Sequence, residues 1–332
     1  LRLRRQQPRP LFVRRIFMKI FFLGSNGLIG NAAANLIGKQ HEITTAGRGQ
    51  QYSAELDLLN PEEFSSKIFE GHDVLIHCAG IINEDFANPE DGYRKASISA
   101  KALTEKAYDA GIRTFIYVSS AHVYGNLIGN IDETTPCNPV SDYAISHFIT
   151  EQIFKRLTEK GDKKTKVLIL RPCATYGKIP DPEKFLRWSL VPFNLPKQAV
   201  DNGQITLSPG SDKVKRNFIS AESIGRHIKE FIESKTETGC KIINPLGEDN
   251  LSILEFAQMS AQIYEQITKK NCPILMPEQQ TQPSVPKLHY SSVHVHQPRG
   301  QNLNQYLTEM VQYLLYVSKK KVASTSVKKT YS

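Results

Sequence analysis

From Met18 onward, short apolar runs alternate with longer stretches of helical period. Lys19–Leu23, Glu42–Ala46, Asp73–His77, Thr114–Ser119 and Lys166–Leu170 read as strands. Between them Leu28–Ile37, Pro61–Phe69, Ala100–Ala110 and Tyr143–Lys160 read as helices, the second opened by Asn60 at its cap and Pro61 at its first position. Strict alternation of strand and helix predicts a parallel sheet covered on both faces, a doubly wound α/β domain over residues 18–177.

The rhythm breaks after Gly177. Pro180, Pro182, Pro192, Pro196 and Pro209 make the stretch to Gly210 too proline-rich for central strands and predict an irregular lobe. Regular elements return at Asn217–Ile219, in a helix over Ala221–Glu233, in the strand Cys240–Ile243 and in a helix whose Ser252 and Glu255 form a capping box. A polar run at Gln279–Pro286 precedes a last amphipathic helix near Leu303–Val317 and a Lys- and Ser-rich end expected to fray. The expected organisation is a nucleotide-binding domain at 18–177 that returns at about 216–245, with a smaller, mixed substrate lobe at 178–215 and 246–317. No internal repeat is evident.

The first strand runs directly into Gly24-Ser25-Asn26-Gly27-Leu28-Ile29-Gly30. Gly24 permits a tight turn, Gly27 lets backbone approach a pyrophosphate, and Gly30 lets the helix pack on the strand, while the helix N-terminus offers free N–H groups. This strand–loop–helix context marks a Rossmann-type dinucleotide loop and makes Asn26, Leu28 and Ile29 cofactor-binding candidates with the three glycines. NAD-binding folds usually carry an acid about 20 positions further on. Here the second strand ends at Ala46-Gly47-Arg48, with a guanidinium suited to a 2′-phosphate, so the cofactor is NAD or NADP with a lean to NADP. Arg48 as a plain solvated loop residue is the alternative.

Composition adds a constraint on partners. The 332 residues carry a net charge of +9, which on a folded body would suggest nucleic acid or an anionic membrane. Six arginines within residues 1–17 and five lysines within 318–332, with no acid in either segment, supply eleven positive charges. The body from Met18 to Val317 is therefore slightly acidic, at −2, and neither nucleic acid nor membrane is expected as a partner. Met18-Lys19-Ile20 is the expected natural start, residues 1–17 reading as an upstream extension or, alternatively, an Arg-rich targeting peptide. Cys78, Cys137, Cys173, Cys240 and Cys272 are scattered and odd in number, against a disulfide framework or zinc site and in keeping with a cytoplasmic location.

Taken together the motifs resemble the extended short-chain dehydrogenase/reductase family, in its NAD-dependent epimerase/dehydratase branch acting on nucleotide sugars. The resemblance runs from about Met18 to Asn244. It is carried by Gly24–Gly30, Asp57-Leu58, the segment Asp73 to Gly80, the segment Tyr117 to Gly125, Tyr143, Leu170-Arg171-Pro172, and Arg216-Asn217-Phe218-Ile219. It implies that Asp57 and Leu58 lie near an adenine, Cys78, Ala79 and Gly80 along the nicotinamide half, and Pro172 through Thr175 over the nicotinamide. It further implies that Ser120 bonds the substrate oxygen, Tyr143 serves as general acid or base, and Arg216 contacts a substrate diphosphate. The resemblance also implies that the helices at Ala100–Ala110 and Tyr143–Lys160 could build a homodimer interface, the equal alternative being an ordinary wet face that carries Lys101, Glu105 and Lys106.

Hydride transfer at a carbinol carbon requires moving the hydroxyl proton as well, and a phenol of pKa about 10 needs help to do so near neutrality. The family's helper is a lysine four residues after the tyrosine. This chain has Tyr143-Ala144-Ile145-Ser146-His147, and a histidine of reference pKa about 6.5 is mostly neutral at pH 7, although it can still bond a ribose hydroxyl. Ala96 likewise stands where relatives carry an active-site asparagine. His122, two residues past Ser120, is a candidate substrate contact and replacement proton carrier, its alternative being a solvated loop residue. His289, His294 and His296 lack a cysteine or carboxylate to complete a metal shell, so no metal is expected. Two functions remain: an NAD(P)-dependent epimerase, dehydratase or reductase with Ser120, Tyr143 and His147 as catalytic residues, or a dinucleotide-binding protein of the same fold with little turnover.

Overall fold

The computed structural model describes residues 17–160, 164–235, 238–248, 250–276, 287–295 and 302–329, leaving aside the side chains of Asn83 and of 321–329. The basic segment before Phe17, the run Gln279–Pro286 and His296 lie outside the described residues. The main sheet contains β1 (Lys19–Leu23), β2 (Glu42–Gly47), β3 (Ala54–Glu55), β4 (Val74–His77), β5 (Thr114–Val118), β6 (Lys166–Leu170) and β7 (Gly239–Ile243). All seven are parallel, in the order β3-β2-β1-β4-β5-β6-β7.

β1 shows why the strands read as apolar runs. Successive side chains point to opposite faces. Ile20 and Phe22 pack with Ala33, Ile37, Ile224 and Ile228 on one face, and Phe21 and Leu23 with Phe69, Leu103 and Ala107 on the other. Helices Leu28–Ile37 and Ala221–Glu233 thus cover the first face, and Ala100–Asp109 and Asp142–Arg156 the second. With no face left to water, polar alternation would cost burial of unpaired groups. β1 lies between β2 and β4, so the winding of the chain reverses there, the place where open α/β sheets form a crevice at the C-terminal edge.

A second, three-stranded sheet has Lys215–Ser220 at its centre, parallel to Ala174–Tyr176 and antiparallel to Asn250–Ser252. It shares an apolar core with Phe193, Phe256, Tyr306 and Leu307. A strap at His289–Tyr290 pairs with Asn130–Ile131 and ties the later chain to the main sheet. Tyr290 Oη donates to the Arg171 carbonyl, and Glu133 accepts from the backbone N–H groups of Asn244 and Val293, each at 2.8 Å.

Several local readings change. Pro61–Phe69 is not one α-helix but two 3₁₀ turns, Pro61–Glu63 and Ser66–Phe69. Asn60 makes no cap because its side-chain amide donates to Asp57, and Lys106 takes the Phe64 carbonyl that a continuing helix would need. The helix ending at Asp109 starts much earlier, at Pro89, and passes through a π turn at Lys95–Ser99. The proline-rich stretch contains a helix, Val191–Asn202, with Pro196 inside it. Pro196 has no N–H for the carbonyl of Pro192 one turn back. The buried Tyr306 supplies the missing donor, its Oη lying 2.9 Å from that oxygen. The last helix runs Leu303–Lys329 instead of stopping near Val317, and no described helix is long and apolar enough to cross a membrane.

Tyr306→Phe keeps the ring and removes only the donor, leaving a buried carbonyl unpaired. It should lower unfolding stability by about 1–3 kcal/mol in urea titrations, with an unchanged m-value.

Candidate active site

The crevice is bounded by glycines with distinct reasons for being there. Gly24 has φ +86°, and a Cβ on it would lie 2.2 Å from the Ala79 nitrogen, so the loops after β1 and β4 can touch only because residue 24 has no side chain. A Cβ on Gly30 would lie 2.0 Å from the Gly24 oxygen, which excludes any side chain where the helix folds back on the strand. Gly27 differs: its nearest neighbour would be the Gly24 oxygen at 3.4 Å, and it is exposed at the N-cap of Leu28–Ile37, where no side chain caps the helix. The fold does not need glycine at 27. Its exposed backbone and the uncapped helix N-terminus are open to an anionic ligand. Asn26 is exposed beside it, Leu28 and Ile29 are half-buried, and Ser25 Oγ is buried with no partner.

The remaining expected cofactor contacts follow the same edge strand by strand. Arg48 is exposed just past β2. Cys78, Ala79 and Gly80 leave β4, with Cys78 N–H on the Leu23 carbonyl at 2.8 Å. Pro172 leaves β6 and its carbonyl accepts from Ala121 N–H at 2.9 Å, while Thr175 lies on the adjoining small sheet. Asp57 turns back on its own loop, accepting from Leu59 N–H at 3.0 Å and from Asn60, and Leu58 offers its carbonyl to Ser99. Burial pushes the Cys173 thiol up to about 11 and Cys78 further still, which makes both poor nucleophiles.

Ser120, Tyr143, His147 and His122 converge beyond β5. Ser120 is buried and its Oγ accepts from His122 N–H at 3.3 Å. Ser141 caps the helix Asp142–Arg156 and so sets Tyr143 in its first turn. The Tyr143 ring stands 4.5 Å from His147 and 6.0 Å from His122, both edge-on. His147 is buried, its Nδ1 lies 2.6 Å from Tyr117 Oη, and its Nε2 has no partner. Burial drops its pKa to about 3, assisted by His77, Arg187 and His122, so the ring is neutral. His122 falls to about 4 through burial and the charges of Arg216 and Arg187. Ala96 is fully buried and takes part through its backbone, the π turn turning its carbonyl to Thr150 Oγ1 at 3.0 Å.

Sequence reading missed four contributors. Tyr117 reads as an ordinary strand aromatic. Glu151 looks like a surface charge, yet it is buried and grips Arg171 through two hydrogen bonds at 2.9 and 2.6 Å. Ser25 is masked by the glycines around it. Arg187 sits in the irregular stretch, and the signal that could have found it is its flanking pair Phe185 and Trp188, 5.2 Å apart and both packed near Phe193. Arg216, half-buried, donates to the Lys215 carbonyl at 2.7 Å. His289 and His294 are exposed, and no group of three metal-type ligands occurs among the described residues.

Residues 20–244 match the NAD dependent epimerase/dehydratase family. The chain belongs to that family. A Bacillus subtilis (strain 168) protein described as an uncharacterized UDP-glucose epimerase, YtcB, is 28% identical over 183 residues, 48% of this chain and 57% of its own length. The UDP-glucose 4-epimerase of Bos taurus is 25% identical over 230 residues, 64% of this chain and 65% of that protein. The chain thus spans somewhat over half the length of these curated relatives. The UDP-glucuronic acid 4-epimerase of Bacillus cereus in complex with NAD shares the fold with a TM-score of 0.71 at 19% identity, over 90% of this chain and 96% of that one. RMD from Pseudomonas aeruginosa complexed with NADPH does so at 0.68 and 19%, over 90% and 99%.

Two outcomes follow from this geometry in the epimerase/dehydratase fold. Gly30→Ala should cost at least ~2 kcal/mol because backbone must move, whereas Gly27→Ala should stay within about 0.5 kcal/mol; thermal melts of both variants check the contrast. His77, His122 and His147 are held neutral, with folded pKa values near 4, 4 and 3 against 6.5. Below pH 6.5 the unfolded chain binds protons that the fold refuses, so this stability is complete above pH 6.5 and is lost as pH falls toward 4. Urea midpoints should therefore drop between pH 7 and 5, and His77→Phe should flatten the drop.

Proposed function

We propose that the chain binds a nicotinamide dinucleotide along the C-terminal edge of the sheet and acts on a nucleotide sugar by hydride transfer, with Tyr143 as the proton-transfer group. The observation that carries this reading is the Tyr143 phenol, unbonded to any described residue, with the neutral rings of His147 and His122 4.5 and 6.0 Å away and Ser120 Oγ on the His122 N–H, on the edge that bears the glycine loop. The relatives that are UDP-sugar epimerases, and the solved structures holding NAD or NADPH, support the substrate and cofactor classes.

Gly24–Gly30 would take the pyrophosphate through backbone N–H groups, and Cys78–Gly80 and Pro172–Thr175 would line the nicotinamide half. When bound, the nicotinamide accepts and returns the hydride. Tyr143, acting as its phenolate, would take the proton of the sugar hydroxyl as the carbon gives up its hydride and would return that proton when the hydride comes back, with Ser120 Oγ holding the oxygen in place. His147 supplies a neutral hydrogen bond, not a charge. The positive field of the site comes from Arg187 and Arg216, whose effect is felt at His122, and Arg216 is placed to meet a diphosphate. The exposed Arg48, with no acid at the end of β2, favours NADP.

A second reading, dinucleotide binding with little turnover, rests on neutral His147 and on Ala96, which has no polar side chain to offer. Titrating the full chain with NADH and NADPH and then assaying a panel of nucleotide sugars separates the two. The expected result is binding of both, tighter for NADPH, a preference narrowed about tenfold in Arg48→Ala, and turnover lost in Tyr143→Phe. Binding without turnover in the unmodified chain selects the second reading. Failure to bind either dinucleotide overturns both.

A further inference from the structure

Behind Ser120 lies a polar network that the proton-transfer cluster does not use. The segment joining β5 to the helix Asp142–Arg156 carries Ser120 and His122, and its regular structure is confined to the 3₁₀ turn Ala121–Tyr124 and the two-residue strand Asn130–Ile131. A connection of this length holds a hydroxyl in one place only if the rest of the fold fixes it. Ser120 is the N-cap of the turn, its Oγ accepting from His122 N–H. Wherever the turn goes, Ser120 and His122 go with it.

The turn hangs from two buried points. At its start Ala121 N–H donates to the Pro172 carbonyl at 2.9 Å. At its end the Arg171 guanidinium lies over the Tyr124 ring, 4.7 Å from its centre, and Tyr124 Oη donates to Asn244 Oδ1 at 2.8 Å. Arg171 follows β6 and Asn244 follows the neighbouring β7, and they are 3% and 0% exposed.

The strap at 287–295 grips the same two points. Lys287 and His289 are exposed while Leu288 and Tyr290 are buried, the alternation of a strand with one face inward. Tyr290 Oη donates to the Arg171 carbonyl, one residue before Pro172. The Ser291 carbonyl accepts from Asn244 Nδ2 at 3.1 Å. Glu133, on the Ser120 segment itself, closes the ring: its carboxylate accepts from the N–H groups of Asn244 and Val293 at 2.8 Å each and from Ser292 Oγ. Leu288 and Tyr290 also share a small apolar core with Ala121, Val123, Tyr124 and Ile131. Phe148, the residue after His147, packs against that core, so the strap bears on the Tyr143 helix as well. The glycine loop leaves β1, which β4 and β5 separate from β6. The network therefore bears on the Ser120 end of the crevice and not on the pyrophosphate loop.

We propose that Tyr290 and Glu133 are positioning residues for the transfer step: through the Arg171–Pro172 backbone and Asn244 they hold the turn that aims Ser120 Oγ and His122 at the oxygen on which Tyr143 acts. This rests on the hydride-transfer reading above. It adds that the alignment of the site depends on a residue 119 positions beyond the arginine whose carbonyl it holds.

The test compares full-length variants by amide hydrogen exchange and by turnover of a nucleotide sugar. Tyr290→Phe keeps the ring and removes the donor to Arg171. Glu133→Gln keeps the shape, turns one acceptor into an N–H₂ group, and reads the same effect should Tyr290→Phe not fold. Tyr306→Phe loses one buried phenol hydrogen bond in the second core and is the control for stability alone. Expected in the first two, relative to the control, is exchange about tenfold faster at the N–H groups of Ala121, Gly125 and Asn138, which tie the turn down. With it kcat should fall about tenfold, while KM and dinucleotide affinity stay within about threefold. In a Ser120→Ala background Tyr290→Phe should lower kcat by no more than about threefold, because the hydroxyl it positions is gone. A purely structural role gives the same fractional loss in both backgrounds. Exchange and turnover per folded molecule equal to those of Tyr306→Phe, or an equal loss with and without the Ser120 hydroxyl, overturns the proposal. If the unmodified chain turns over no nucleotide sugar, the hydride-transfer reading falls and the catalytic role of the strap with it, while the exchange rates still decide whether the strap holds the Ser120 turn.

Discussion

One buried ion pair holds the site together. Glu151 and Arg171 are 1% and 3% exposed and share two hydrogen bonds, with Ser119 Oγ donating a third to the carboxylate at 2.6 Å. Arg171 leaves β6, Ser119 leaves β5 and Glu151 belongs to the helix Asp142–Arg156, so three elements are fixed by one carboxylate. Tyr143, His147 and Glu151 are spaced by four and share a helical face. The pair therefore sets the rotation of the helix and with it the direction in which the tyrosine and histidine point. Removing one partner alone would strand a buried charge at a cost of about 3–5 kcal/mol. The Tyr124 ring covers the guanidinium at 4.7 Å, and the Tyr290 strap fastens onto the carbonyl of the same arginine.

That commitment also explains the electrostatics of the site. The carboxylate at the position to neutralise a buried ammonium is already saturated by Arg171. A lysine in place of His147 would face His77, Tyr117 and His122, none of which carries negative charge at neutral pH. An imidazole avoids that desolvation cost because it is uncharged there. The interior of the site is thus a run of neutral rings, with its cations, Arg187 and Arg216, on the side of the second sheet. On the proposed reading, hydrogen bonds would orient the site where a fixed charge is expected from the resemblance.

Much was readable before the fold was known. Apolar runs without polar alternation announced a parallel sheet buried on both faces, since such strands have no solvated side to mark. Gly24 and Gly30 were recognisable because their reason is local: a positive φ in one and a strand-to-helix fold-back in the other. Motif order proposed Tyr143, Ser120 and His122, and the structure puts the Tyr143 and His122 rings 6.0 Å apart and Ser120 Oγ on the His122 N–H. Pro61–Phe69 was misread because its cap residue and its carbonyl are claimed by Asp57 and Lys106, the latter 42 residues away from Phe64. Pro196 looked like a helix breaker because its remedy, Tyr306, comes 110 residues later.

The division follows the range of the interactions. Backbone conformation, the covering of both sheet faces and the dinucleotide loop depend on neighbours within a turn or a strand, and local pattern records them. The protonation state of His147 and the burial of Glu151 depend on which strands lie side by side. A histidine four residues after a tyrosine could have been a charged surface group as readily as a neutral buried ring. Only the packing of Asp142–Arg156 against β5 and β6 removed the water around it, because desolvation across the fold, not residue type, sets the charge of a buried imidazole.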